Sequence, residues 1–291
     1  MPVVFFRMAI DSHCHLTLRF ERDEVRDVLA RATGAGVNGV VLIGYCPMHN
    51  RKVCEILDDP GLCGPDLPAK CGTVGVHPHE ADKFGPREVE DLRGYLERLD
   101  IVAIGETGLD FFRDYADRGN QEALFQAEVQ LASESCFPLV VHSRDSFDRT
   151  MGILTEFKLP NPPGVFHCFG YGPRELEKVI EMGFFVSFAG NLTYPKSVDL
   201  HDARRSVPMN RILVETDSPF QVPQKAKNRK VNRNEPAYVA ETIGKVAELR
   251  NQDREQVETA LISNTLECFP RLKNIRSWAD LVSRKSAEVS G

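Results

Sequence analysis

Ile101-Val102-Ala103-Ile104-Gly105-Glu106-Thr107-Gly108-Leu109-Asp110 joins a run that is apolar throughout to an acidic group with no basic neighbour. A short continuous apolar run reads as a parallel strand covered on both faces, because a strand with one wet face alternates apolar and polar residues. The same signature recurs at 7–11, 39–43, 72–76, 138–141, 164–166, 184–187 and 212–214, which with 101–105 makes eight runs. Between them, segments such as 21–33, 87–99, 121–133, 174–181 and 235–249 repeat apolar residues at helical spacings of three and four. Eight strand–helix units in succession predict an α/β fold, a (β/α)8 TIM barrel. The 291 residues suit such a barrel. No internal repeat or Gly/Ser-rich linker divides them, so 1–291 is expected to be a single domain, its end from 277 to 291 a fraying surface helix.

In such a barrel the reacting groups gather at the C-terminal ends of the strands. Ligand-type residues stand there repeatedly: His13 and His15 in Asp11-Ser12-His13-Cys14-His15, Glu106, His142 in Val141-His142-Ser143-Arg144, His167 in Phe166-His167-Cys168-Phe169, and Asp217 in Val214-Glu215-Thr216-Asp217. A period of two sends His13 and His15 to one side and Cys14 to the other, which suits a shared cation. One His alone is more often a satisfied core residue; six such groups feeding one end predict a metal centre at the strand ends. A carboxylate can bridge two cations roughly 3.5–4 Å apart, and Glu106 is the candidate bridge. Its alternative is a helix-cap role. No lysine stands at an expected strand end to replace it. Glu215, two residues before Asp217, points the same way but deeper, where it would hold a ligand histidine by a hydrogen bond.

Composition narrows the partners. Hydrophobic residues at 42% and charged residues at 27% supply a large core. The eight cysteines form no CxxC pair, and no secretory leader or stretch of roughly 18 apolar residues is visible, so a cytoplasmic, monomeric protein with reduced thiols and no membrane role is expected. A net charge of −6 excludes a global basic field. Locally, Lys225, Lys227, Arg229, Lys230 and Arg233 form a basic run expected to track substrate phosphates.

These residues resemble the TatD-like metal-dependent deoxyribonucleases of the amidohydrolase superfamily. The match runs through the stretches around His13, Glu106, His142, His167 and Asp217, and adds Gly75-Val76-His77-Pro78-His79, Ser218-Pro219 and Asn234-Glu235-Pro236, in the family's order. The resemblance implies that His13, His15, Glu106 and Asp217 hold one divalent ion and Glu106, His142 and His167 a second, the metal being zinc, manganese or magnesium. It also implies a metal-activated water attacking a DNA phosphodiester, with Asp217 accepting its proton and Glu106 beside it in the catalytic set. The expected substrate is single-stranded DNA or 3′ ends, and the expected activity a 3′–5′ exonuclease. Thr17 and Gln221 depart from the family pattern, which leaves loop geometry and substrate preference open.

Around this set, His77 is expected to contact a phosphate or base and His79 to make a structural hydrogen bond. Arg113 and Arg144 are candidate phosphate clamps, because a guanidinium grips two oxygens at once; the alternative is a solvated surface arginine. Phe111, Phe112, Phe169 and Phe220 can stack bases or pack the core. Two other readings stand beside the nuclease. One is an amidohydrolase or phosphoesterase acting on a small metabolite, which the acidic charge favours. The other is a non-catalytic binding protein with structural metals, against which the open, multi-ligand set argues.

Overall fold

The computed structural model describes residues 8–197, 202 and 205–279. Eight strands, β1 (Ala9–Cys14), β2 (Val37–Leu42), β3 (Ala69–Val74), β4 (Ile101–Asp110), β5 (Leu139–Arg144), β6 (Gly164–Phe166), β7 (Phe185–Phe188) and β8 (Ile212–Val214), form one sheet in sequential order. Every neighbouring pair from β1–β2 to β7–β8 is parallel. The eight expected runs each fall on a strand, and the (β/α)8 barrel follows.

Three strands that carry site residues, β1, β4 and β5, run past the ends of their apolar runs, whereas β2 and β3 stop one and two residues before theirs. Glu106 lies inside β4 rather than past its end, His142 lies inside β5, and His13 lies inside β1. In β1, β4 and β5 the last strand residues face a polar site instead of a core, so the apolar run stops three to five residues before the strand does. Of the remaining functional positions, His167 directly follows β6 and Asp217 stands three residues past β8.

The first and last strands meet through side chains more than through a ladder. A single bridge pairs Cys14 with Ser218. Asp217 N donates to His13 O at 3.0 Å and His15 N to Ser218 O at 2.8 Å. Buried Asp11 clasps the seam, accepting from Thr216 N at 2.9 Å and from Thr216 Oγ1 at 2.6 Å. Its pairing fixes the segment that carries Asp217.

Helices α1 (Glu24–Gly34), α2 (Pro47–Asp58), α3 (Pro86–Glu90), α4 (Arg93–Leu96), α5 (Arg118–Ser135), α6 (Phe147–Thr155), α7 (Pro173–Glu181), α8 (Gln224–Asn228), α9 (Val239–Arg250) and α10 (Arg254–Cys268) accompany the strands. The helix expected over 87–99 divides into α3 and α4, where Leu92 N→Val89 O and Tyr95 N→Leu92 O bonds tighten the backbone to a three-residue repeat. The longest, α5, shows its causes locally. Asp117 caps it by accepting from Gly119 N and Asn120 N, and Cys136 ends it in the left-handed conformation at φ 57°. Leu124, Phe125, Glu128, Val129 and Ala132 form its buried face. Of the surface helix expected over 277–291, residues beyond 279 lie outside the described residues.

Two apolar clusters follow from the layering. The larger joins helices to the outer face of the sheet. In the smaller, every strand contributes, among them Ile10, Val41, Cys71, Val102, Val140, Val165, Phe185 and Leu213. It also takes in Phe269, Leu272 and Trp278, so the chain's last described turn closes the barrel interior opposite the mouth. All eight cysteines are free thiols, and no described helix is long and apolar enough to cross a membrane.

Glu128 is the buried carboxyl on the inner face of α5. It accepts from Val76 N at 2.7 Å and from Thr107 Oγ1, tying α5 to the segments that carry His77 and Glu106. Burial pushes its carboxyl from 4.5 up to about 8, although both hydrogen bonds pull the other way. A raised folded value means the native state holds a proton that the unfolded chain has released, so this group's stabilisation is complete below pH 4.5 and fades as pH rises through 8. Glu128→Gln, neutral at every pH, should therefore flatten the fall in stability between pH 5 and pH 9. Urea unfolding at both pH values checks this; equal changes at the two would contradict it.

Candidate metal centre

At the mouth, β1, β4, β5 and the segments after β3, β6 and β8 bring one carboxylate into the midst of five histidines. Glu106 presents its two oxygens to two different groups. Oε2 lies 3.4 Å from His13 Nε2 and 3.1 Å from His15 Nε2. Oε1 lies 2.9 Å from His142 Nδ1, 2.8 Å from His167 Nε2 and 3.2 Å from His77 Nε2. Asp217 joins the first group, its Oδ1 3.7 Å from His13 Nε2 and 3.6 Å from His15 Nε2.

Close approach of β4 and β5 makes this reach possible. Gly108 has φ 131°, and a Cβ there would stand 1.9 Å from the His142 carbonyl oxygen. Only glycine lets the two backbones touch at the level of the site.

The spacing tests whether a cation fits. Tetrahedral donors at roughly 2.0–2.2 Å from one ion stand about 3.3–3.6 Å from each other. The two nitrogens of His13 and His15 are 3.0 Å apart, and their contacts with Glu106 and Asp217 span 3.1–3.7 Å. Two imidazole nitrogens this close need a shared proton or a shared cation, and two adjacent carboxylates favour the cation. On the other side, His142 Nδ1 and His167 Nε2 are 3.1 Å apart. Neutral imidazole and carboxylate are the donor types that divalent ions such as zinc and manganese take. The residues present thus fit a divalent metal.

Electrostatics separates the acids. Burial would raise Glu106, but the charges of His167 and His77 and hydrogen bonds from His13 and His142 outweigh it and hold the carboxyl well below its usual range. Asp217, more open than Glu106, is pushed up by burial to about 7, with His167 and His15 opposing. Burial lowers His13 to about 4 and His77 to about 3.

Beneath the cluster lies Glu215, buried and hydrogen-bonded by Ser187 Oγ. Its Oε1 is 3.4 Å from His167 Nδ1, a charge contact rather than an aligned hydrogen bond. His167 stacks on His13 at 4.1 Å with an 8° tilt, and the ligand atoms of His13, His167 and Glu215 fall within 4.8 Å of one another.

Other expected residues sit differently. His77 is not at the rim: its Nε2 faces Glu106, and its ligand atom groups with those of Glu106 and His142. Its ring stacks on Tyr45 at 4.6 Å. His79 makes a hydrogen bond as expected, at 2.8 Å to Asp110 Oδ2. Asp110, which sequence reading left without a role, also lies 3.2 Å from His142 Nε2, so it fixes that imidazole from behind. Its signal was present, four residues after Glu106 and hence on the same face of β4. The basic run is less available than its sequence indicates. Arg229 pairs with Glu241 at 2.8 Å, Arg233 with Glu24 at 3.1 Å, and Lys227 Nζ lies 3.8 Å from the Tyr194 ring centroid. Of the phenylalanines, Phe169 is buried and Phe111 packs against the core, while Phe112 and Phe220 are exposed. Arg113 and Arg144 are exposed as well, beside Phe112.

Known proteins are similar to this chain along most of its length. The family model described as TatD related DNase matches residues 10–270. A Klebsiella pneumoniae protein named 3′-5′ ssDNA/RNA exonuclease TatD is 31% identical over 253 residues, covering 86% of this chain and 93% of its own. An uncharacterized metal-dependent hydrolase of Escherichia coli, YcfH, is 34% identical over 279 residues, covering 92% and 99%. Among solved structures, the TatD homolog YJJV from Escherichia coli superposes with a TM-score of 0.82 at 26% identity, over 90% of this chain and 98% of that one. The chain is a metal-dependent hydrolase and belongs to the TatD related DNase family.

Proposed function

We propose that this chain is a 3′–5′ exonuclease acting on single-stranded nucleic acid, with two divalent ions that share Glu106. The split of the two Glu106 oxygens between two donor groups carries this reading. His13, His15 and Asp217 would hold one ion with Oε2; His142 and His167 would hold the other with Oε1. His77, on the Oε1 side, is placed to complete that second set or to donate to a phosphate oxygen. When bound, the ions supply Lewis-acid polarisation of the phosphoryl group and acidify water.

The chain's own groups do the rest. Glu106 has both oxygens engaged, so it holds position and takes no proton. Asp217 touches the cluster through Oδ1 and is the most open of its acids, which suits it to accept the proton of the attacking water. Glu215 and Asp110 restrain His167 and His142 from behind. Relatives named for 3′-5′ ssDNA/RNA exonuclease activity support the substrate and polarity. A small-metabolite phosphoesterase remains the second reading, favoured by the net charge of −6 and by the protein partners already taken by Arg229, Arg233 and Lys227.

A time course on end-labelled single-stranded DNA in defined metals separates them: stepwise shortening from the 3′ end is expected, and hydrolysis confined to small phosphodiesters would favour the metabolite. Glu106→Ala should lower metal content at both positions, read by elemental analysis after gel filtration; two full equivalents retained would remove Glu106 from the bridge. Asp217→Asn keeps shape and most coordination but loses the base, so turnover at saturating metal should fall by about 10²-fold or more. Near wild-type turnover would reassign the proton acceptor.

A further inference from the structure

Among the described residues five large apolar side chains are exposed: Met48, Leu99, Phe112, Tyr115 and Phe220. Four of them surround the barrel mouth. Met48 opens α2 after β2, Phe112 and Tyr115 follow β4, and Phe220 follows β8; only Leu99 lies at the other end. Exposed aromatics gathered around one site mark a binding surface, since scattered apolar residues would show no such preference.

Two of these rings carry guanidinium partners. Arg144 Cζ is 3.9 Å from the Phe112 ring centroid and Arg113 Cζ is 5.5 Å from it. Arg19 Cζ lies 5.1 Å from the Phe220 centroid. The rings are also tethered to opposite sides of Glu106. Asp110 Oδ1 accepts from Phe112 N at 3.0 Å and Arg113 N at 2.9 Å, while its Oδ2 faces His142. Phe220 N donates to Asp217 O at 2.8 Å, and the ring lies 6.4 Å from that of His15. One station is therefore fixed to the His142 side and one to the His15 side.

Resting on the nucleic-acid reading above, we infer that Phe112 with Arg144, and Phe220 with Arg19, are stacking stations for the two nucleobases flanking the scissile phosphate. A phosphodiester seated at Glu106 has one nucleoside on each side, and each side has one exposed ring. Stacking accepts any base, because every base has a π-face. The arginines add positive charge where an acidic chain otherwise lacks it, and a guanidinium plane itself stacks on bases. A small metabolite would use neither station fully.

Three thymidine tetranucleotides test this: one complete, one abasic at the 3′-terminal residue, and one abasic at the penultimate residue. The readout is kcat/KM for removal of the terminal residue by wild type, Phe112→Ala and Phe220→Ala. Phe112 is 52% exposed and Phe220 38%, so truncation leaves the core intact. Each variant should lose roughly 5- to 150-fold on the complete probe, the range that one stacked base is worth. The loss should shrink on one abasic probe, and on the opposite probe for the two variants. Phe112→Tyr should restore the complete probe and Phe112→Leu should not. Equal losses on all three probes, no loss on any, or rescue by leucine would overturn the stations. If the wild type cleaves a small phosphodiester and none of the tetranucleotides, the nucleic-acid reading falls, and the stations fall with it.

Discussion

A buried carboxylate surrounded by five imidazoles is the constraint to which the rest of this molecule answers. Taken alone, Glu106 in the barrel interior would be costly as an anion, because the low dielectric of a protein core favours its protonated form. Here the histidines reverse that preference, and they do so only because four strands bring them together: His13 and His15 at the end of β1, His77 after β3, His142 from β5 and His167 after β6. An arrangement of this kind has no local stability. Its members are separated by as many as 154 positions along the chain, between His13 and His167, and they meet only if the sheet closes in the correct register.

Much of the surrounding structure serves that closure. β4 is ten residues long and buried throughout, so it carries Glu106 and Asp110 on one face past the depth where an apolar strand would end. Gly108 lets β5 approach until His142 meets Glu106. At the seam between β1 and β8, where ladder pairing is reduced to one bridge, Asp11 takes both Thr216 donors and thereby fixes Asp217 opposite His13 and His15. Glu128 does similar work from outside the barrel, reaching inward from α5 to the backbone before His77 and to Thr107. Asp11 and Glu128 are thus buried, hydrogen-bonded, and placed where they position a functional segment.

The acids of the centre also divide by environment rather than by type. Glu106 has both oxygens among histidines, Glu215 lies beneath them against Ser187, and Asp217 stands at the open edge with one oxygen turned to His13 and His15. Carboxyl groups of similar chemistry thereby acquire different tasks through depth and neighbours. Asp110 and His79 extend the same logic outward, so that the rim carrying Phe112 and the imidazole of His142 are held by the two oxygens of one side chain.

Sequence alone determined the barrel, because eight apolar runs separated by helical periods admit few other architectures, and it marked the candidate donors, because His13, His15, Glu106, His142, His167 and Asp217 stand in or beside those runs. It could not place strand ends: hydrophobicity marks where a strand is dry, while hydrogen bonding decides where it stops, and the two part company at a polar mouth. Tertiary structure decided that His77 faces Glu106, since the chain after β3 turns inward to stack on Tyr45, a contact with no sequence period. It likewise decided that Arg229 and Arg233 pair with Glu241 and Glu24 at the surface, and that of four candidate phenylalanines only Phe112 and Phe220 remain exposed. Periodicity records what a residue does within its own element. Which groups from distant elements finally touch is fixed by the closure of the sheet, and the site exists only there.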